Sequence, residues 1–315
     1  MIKPHRLKEG ATIGIISPAS PSENRSEVPR TVEYLESLGY KAVVAKNVNK
    51  TKGIVAGSED DRVEDIHEMF SRDDVDAVCA TQGGYGSAQL LRKLDYDLIA
   101  SHPKIFTGFS DITSLHLAIN KICGMVTFHG PGIARFNEED LNEYTKESFF
   151  GVLGKAEPYG EIKKADPKNW LTTISGGKTE APVIGGNLTL ICSTLGTPWE
   201  IDCKDKILFF EDVEAEPWIV DHMMSHLRNA GKLDDAKGFL IGNSASCVPF
   251  KHNPGFLSDM TFEDVMYYYL EPLGKPALYG LPMGHGDNLA TLPLGVMTEL
   301  DADNKTFTIL ENGVI

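Results

Sequence analysis

A two-domain α/β fold is predicted for this chain, with a first half built as a parallel sheet carrying helices on both faces. Three observations predict it. Apolar runs of strand length alternate with stretches whose apolar residues recur at helical spacing. The strand-like runs end in small or polar residues, as at Ser17-Pro18-Ala19-Ser20, Thr81-Gln82-Gly83-Gly84, Ser110-Asp111 and His129-Gly130-Pro131. At 315 residues the chain is longer than a typical single core.

The elements follow in order. Ala11 to Ile16 reads as a buried strand, and Val28, Val32, Leu35 and Leu38 mark a helix that Gly39 stops. Lys41 to Val48 is a second strand, followed by a helix marked by Val63, Ile66 and Phe70. Val75 to Ala80 and Ser87 to Leu94 make a third strand and helix. Lys104 to Phe109 and Ile112 to Ile122 make a fourth pair, and Met125 to Phe128 is a fifth strand. Between Phe136 and Trp170 charge, Gly and Pro rise, which predicts a helix and then a linker. A second α/β region begins near Thr179. It holds strands at Lys206 to Phe210 and Gly238 to Ile241, and helices at Trp218 to Leu227 and Phe262 to Leu270. Leu294 to Leu300 and Thr306 to Leu310 flank Asp301-Ala302-Asp303-Asn304 as a β-hairpin. The expected division is 1–160, a linker at 161–178, and 179–315.

Composition narrows the function classes. With 42% hydrophobic and 24% charged residues the chain reads as a soluble globular protein. No apolar run is long enough to span a bilayer, and the N-terminus lacks the apolar core of a secretory signal. Five cysteines, scattered and without a CxxC pair, indicate neither a zinc site nor a disulfide framework and suit a reducing cytoplasm. A net charge of −15 argues against nucleic acid and anionic membrane as partners. The acidic runs Glu59-Asp60-Asp61 and Glu138-Glu139-Asp140 read as solvated faces.

The chemistry centres on Gly108-Phe109-Ser110-Asp111, a strand-to-helix turn. A serine there exposes its hydroxyl beside a helix N-terminus, where acyl-transfer enzymes place a nucleophile; it also fits a plain helix N-cap. A lipase-type elbow is Gly-x-Ser-x-Gly, and here the last position is Ile112. A serine nucleophile needs a base. His285, between Gly284 and Gly286, can serve or can be a loop histidine, and His129 is a rival. Glu211 ends the apolar run Ile207-Leu208-Phe209-Phe210, so its carboxylate needs a partner, either an imidazole or a basic side chain; Asp212 is the runner-up. Gln82-Gly83-Gly84-Tyr85-Gly86 can cradle a phosphate or supply an oxyanion hole from the N–H groups of Gly84 and Asp111. It lacks the third glycine of a dinucleotide fingerprint and any Gly-Lys-Ser/Thr. Gly185-Gly186-Asn187-Leu188 reads as a turn between strand and helix.

Taken together and in this order, these segments resemble the LD-carboxypeptidase and microcin-immunity family of serine peptidases. The matching stretches are Ile15-Ile16-Ser17-Pro18-Ala19-Ser20, Gly83-Gly84-Tyr85-Gly86, Gly108-Phe109-Ser110-Asp111-Ile112-Thr113, His129-Gly130-Pro131, Gly185-Gly186-Asn187-Leu188, Phe210-Glu211-Asp212-Val213, and Gly284-His285-Gly286 ahead of Leu292-Pro293-Leu294-Gly295-Val296. The resemblance implies a catalytic Ser110, Glu211 and His285, an oxyanion hole from Gly84 and Asp111, and no metal or cofactor. It also implies a Rossmann-like N-terminal domain, a smaller C-terminal α/β domain (swivelling, partly barrel-like) that carries the Glu and His, and a homodimer. Candidate substrate contacts are Gln82, Tyr85, Trp170 and Asn187. Many family members carry arginine where this chain has Gln82, which puts that contact in doubt. The implied reaction is removal of the terminal D-alanine from cytoplasmic murein tetrapeptides. The alternative is hydrolysis of amides in peptidyl- or aminoacyl-nucleotides, for which Trp170 could stack on a base. A binding or sensor protein of two lobes without turnover, and a nucleotide-binding enzyme, are the competing classes; convergence of Ser110, His285 and Glu211 separates them.

Overall fold

The computed structural model describes residues 1–137, 141–249 and 259–315. The acidic run at 138–140 lies outside the described residues. The first half alternates as predicted: β1 (Thr12–Ile16), α1 (Glu27–Ser37), β2 (Lys41–Val44), α2 (Glu59–Ser71), β3 (Ala77–Ala80), α3 (Tyr96–Ser101), β4 (Ile105–Gly108), α4 (Thr113–Ala118), β5 (Thr127–His129) and α5 (Glu143–Gly154). The second half holds β6 (Gly160–Glu161), β7 (Thr172–Ser175), β8 (Lys178–Asn187), α6 (Leu188–Thr194), β9 (Ile207–Glu211), α7 (Pro217–Asn229), α8 (Lys232–Asp235), β10 (Gly238–Asn243), α9 (Phe262–Leu270), β11 (Ala277–Gly284), β12 (Leu292–Leu294), β13 (Met297–Asp301) and β14 (Thr306–Ile309).

Two sheets result among the described residues. The six-stranded one has the order β12-β5-β4-β3-β1-β2; β1 to β5 run parallel and β12 pairs antiparallel with β5. The eight-stranded one has the order β6-β14-β13-β8-β9-β10-β11-β7. Its centre, β8 to β11, is parallel, and both flanks are antiparallel. The expected linker at 161–178 thus contains an edge strand, β7, and β12 returns the chain to the first sheet.

Alternation along β9 and β10 explains how the sheets pack. Ile207, Phe209 and Leu240 join a core shared with the first sheet, which includes Phe128, Leu292 and Leu294. Leu208, Phe210, Phe239 and Ile241 point to the other face, against Val220 and Met224 of α7 and Val265 and Met266 of α9. A core shared between the sheets holds the C-terminal ends of β4 and β9 in one place. Among the described residues no helix is long and apolar enough to cross a membrane.

Local details of these elements have physical causes. The helix expected over Ser87 to Leu94 is only a 3-10 turn at Ser87–Leu90, because Ser87 donates its N–H and its hydroxyl to Asp111 and is pulled against the turn after β4. The chain enters α3 only after Asp95, whose carboxylate caps Leu98 N. The acidic run Glu59-Asp60-Asp61 forms the first turn of α2, where carboxylates meet the positive helix end; Asp61 and Ser58 form a reciprocal cap. Strand β11 is absent from the sequence reading, because Gly280, Pro282 and Gly284 interrupt its pattern. It is accommodated by register shifts around Gly242 of β10.

Leu294 is fully buried in the shared core. Leu294→Ala is expected to cost about 2–5 kcal/mol of stability, read as a lower denaturant midpoint at unchanged slope. An unchanged midpoint would show that β12 does not hold the two sheets together.

Candidate active site

The turn after β4 is built against a glycine. Ser110 adopts φ 61°, a left-handed conformation costing about 1–3 kcal/mol in a residue with a side chain. The turn is pressed from behind by Gly83: a Cβ there would lie 2.7 Å from Ser110 Cβ and 3.0 Å from Phe109 O. Asp111 is buried at 3% exposure and its carboxylate accepts the N–H of Ser87 at 2.7 Å. The turn is thereby tied to the glycine-rich loop after β3. Ser110 consequently presents its hydroxyl to the cavity instead of capping α4; no side-chain cap bond forms at the start of that helix.

Glu211 closes β9 with no solvent exposure. A buried carboxylate is tolerated only when its oxygens are hydrogen-bonded. Here Oε2 accepts the His285 Nδ1–H at 2.6 Å and the His285 backbone N–H at 3.2 Å, while Oε1 faces Asn187 Nδ2 at 3.4 Å. Gly284 makes this approach possible: its φ is +114°, and a Cβ would lie 2.7 Å from both Cγ and Oε2 of Glu211. With its Nδ1–H given to the carboxylate, the imidazole offers a bare Nε2, which lies 3.1 Å from Ser110 Oγ. Burial alone would lower the His285 pKa, but the hydrogen bond and charge of Glu211, helped by Asp212, outweigh it. The pKa is therefore raised above 6.5, with Arg135 opposing the rise.

The competing candidates sit elsewhere. The Asp212 carboxylate accepts the N–H and hydroxyl of Thr189 at 2.9 and 2.8 Å, so it serves the start of α6 and not the imidazole. His129 is fully buried, edge-on to Phe109 and Phe209, and burial holds its pKa well below 6.5. His116 donates from Nε2 to Gly108 O at 2.8 Å, and burial lowers its pKa to about 4.

A cavity of about 770 Å³ opens over Ser110 and His285. Gln82, Gly83 and Gly84 form one wall, and Arg135, Glu23 and Glu27 are also part of the lining. The N–H groups of Gly84 and Asp111 have no hydrogen-bond acceptor among the described residues, which leaves them available to a ligand oxygen. Of the other sequence candidates, Gln82 lines the cavity while donating to Pro21 O at 2.5 Å. Asn187 is 3% exposed and braces Glu211 and Asp212 while capping α6. Tyr85 and Trp170 are exposed and are not among the lining residues; Lys305 Nζ lies over the Trp170 ring at 5.4 Å. Sequence reasoning missed Arg135, Glu23 and Glu27. Arg135 sits just past the C-terminal end of β5, so its place at the ligand-binding rim of a parallel sheet was a usable signal. Among the described residues no cluster of His, Cys, Asp and Glu is placed to hold a metal ion.

The arrangement places a hydroxyl, an imidazole and a buried carboxylate in one hydrogen-bonded line at a cavity floor, the disposition needed for general-base activation of a serine. Imidazole titration by NMR should show His285 losing its proton above pH 6.5 and His116 at about pH 4. Glu211→Gln removes the main opposition to burial, so the His285 midpoint should fall. A midpoint unmoved by that change would mean that Glu211 does not govern the ring.

Comparison with known proteins identifies the family. Residues 13–130 match the LD-carboxypeptidase N-terminal domain, and residues 180–300 match the LD-carboxypeptidase C-terminal domain. The chain is 38% identical over 313 residues to a probable murein peptide carboxypeptidase of Bacillus subtilis, covering 99% of this chain and 95% of that protein. It is 30% identical to the microcin C7 self-immunity protein MccF of Escherichia coli, covering 97% of this chain and 94% of that one. The solved structure of MccF in complex with glutamyl sulfamoyl guanosine superposes with a TM-score of 0.89 at 28% identity, over 100% of both chains. The structure of muramoyltetrapeptide carboxypeptidase from Oxalobacter formigenes gives 0.80 at 29% identity, over 95% of this chain and 98% of that one. With both of its domains matched and its relatives aligned along nearly their whole length, the chain belongs to the LD-carboxypeptidase family.

Proposed function

We propose that this protein is a serine carboxypeptidase that removes the terminal D-alanine from murein tetrapeptides in the cytoplasm, with Ser110, His285 and Glu211 as its catalytic residues. The observation that carries the reading is the continuous line Ser110 Oγ to His285 Nε2 at 3.1 Å and His285 Nδ1 to Glu211 at 2.6 Å, opening on the cavity. The relative in Bacillus subtilis, a probable murein peptide carboxypeptidase, supports the substrate class.

In this mechanism His285 Nε2 takes the Ser110 proton as Oγ bonds to the carbonyl carbon before the terminal residue. The resulting oxyanion is received by the N–H groups of Gly84 and Asp111. The imidazolium, held by Glu211, gives its proton to the leaving nitrogen, the C–N bond breaks and D-alanine departs. Water then gives a proton to His285 and its hydroxide to the acyl carbon, and the proton returns to Ser110 as the ester opens. A second reading, hydrolysis of aminoacyl- or peptidyl-nucleotide amides, draws on the likeness to MccF, which was solved with aspartyl sulfamoyl adenosine. Trp170 is exposed and is not among the residues that line the cavity; the higher identity to the murein peptide carboxypeptidase, 38% against 30% for MccF, favours the murein peptide.

Incubation with a murein tetrapeptide should release D-alanine, and incubation with an aminoacyl sulfamoyl adenosine should leave it intact. The reverse outcome would transfer the assignment to the second reading. Ser110→Ala should lower kcat by several orders of magnitude, on the ~10⁶ scale of triad removal. Near-wild-type turnover would sink the mechanism. Because the base must be neutral, kcat/KM should climb with pH through a midpoint above 6.5, the direction set by the raised His285 pKa. A rate that falls over this range would contradict the role of His285.

A further inference from the structure

We propose that Arg135 is the group that grips the terminal carboxylate of the substrate. This rests on the carboxypeptidase reading, and it names the specificity residue of that same site. A carboxypeptidase must recognise a charge that an internal peptide bond lacks. That carboxylate lies one residue beyond the scissile carbonyl, ~3.8 Å for a single Cα–Cα step, so its partner must share the cavity with Ser110.

Arg135 meets this requirement, and no other described cation does. Among the described residues lining the cavity it is the one Arg or Lys. Its guanidinium makes no hydrogen bond or ion pair with another described residue, although Glu23 and Glu27 line the same cavity. A guanidinium at a cleft rim offers the planar fork that matches a carboxylate. Arg135 lines the same cavity as Ser110 and His285, and its charge opposes the rise in the His285 pKa. Its backbone is held firmly: Ala134 N–H donates to Thr81 O at 3.1 Å, Thr31 Oγ1 donates to Ile133 O at 3.1 Å, and Arg135 N–H donates to Gly132 O at 3.2 Å.

The charge pattern around it sharpens the choice. Gln82, on the wall formed by the loop after β3, donates its amide to Pro21 O. It is neutral and already engaged, so the cation of this cavity comes from the loop after β5 instead of the loop after β3. Glu23 and Glu27 make the remaining lining unfavourable for a carboxylate. A free C-terminus is therefore accepted in one orientation, with its charge toward Arg135 and its amide toward Ser110.

The test compares a murein tetrapeptide ending in free D-alanine with the same peptide carrying a C-terminal amide. Turnover is measured on wild-type, Arg135→Ala and Arg135→Lys protein, and binding by calorimetry on the same Arg135 forms carrying Ser110→Ala. Wild type should prefer the free acid, and Arg135→Ala should erase about 10- to 100-fold of that preference, the range for hydrogen bonds to a charged group. Arg135→Lys should keep part of it, since charge remains and the fork is lost. A preference that survives in Arg135→Ala, or an equal loss for both peptides, overturns the proposal. If wild type releases no D-alanine, the carboxypeptidase reading falls, and the binding arm still decides the Arg135 contact. Absence of binding by either peptide overturns it as well.

Discussion

The structure turns on one buried carboxylate. Glu211 has no access to solvent and stands at the end of a central strand, where an isolated charge would be severely unfavourable. Its hydrogen bonds come from other elements: the backbone and ring of His285 after β11, and Asn187 at the start of α6. Meeting that demand dictates the neighbourhood. Gly284 must lack a side chain, β11 must shift register past Gly242, and Asn187 must end β8 beside Glu211, to which it is paired in register. The raised pKa of His285 and the availability of its Nε2 to Ser110 both follow from that single acceptor.

A second constraint meets the first from the opposite sheet. The turn after β4 holds Ser110 in a left-handed conformation that the surrounding structure over-determines: Gly83 behind it, Asp111 tied to Ser87, and Gly108 O accepting from both His116 and Gly130 N–H. The core shared by the two sheets then brings the ends of β4 and β9 together. Phe109 packs against both His285 and His129, one imidazole at the cavity and the other sealed beneath it. Two histidines thus acquire opposite character from their surroundings: one has its pKa raised by a carboxylate that outweighs burial, the other is held neutral by an apolar surround.

Much of this was legible in the chain. The βα rhythm, the strand-to-helix serine, the acid at the end of an apolar run and the histidine between glycines are local patterns, and each lies where periodicity and turn chemistry put it. Less was legible where one element yields to another. Ser87 to Leu94 has helical spacing, yet Asp111 draws Ser87 away and only a short turn forms. Strand β11 has too many Gly and Pro residues to announce itself, and Arg135 carries no pattern beyond following a strand end.

Fold class and the set of chemically capable residues follow from local sequence, because apolar period, turn glycines and strand ends are properties of a few neighbouring residues. Which members of that set meet is settled by the packing of the whole chain. Ser110 and His285 are 175 positions apart, and Glu211 is 74 from His285, so no local rule relates them. Their meeting depends on two sheets sharing a core. So does the exclusion of His129, the assignment of Asp212 to Thr189, and the appearance of Arg135 in the cavity, since burial and long-range hydrogen bonding exist only once the chain has closed on itself.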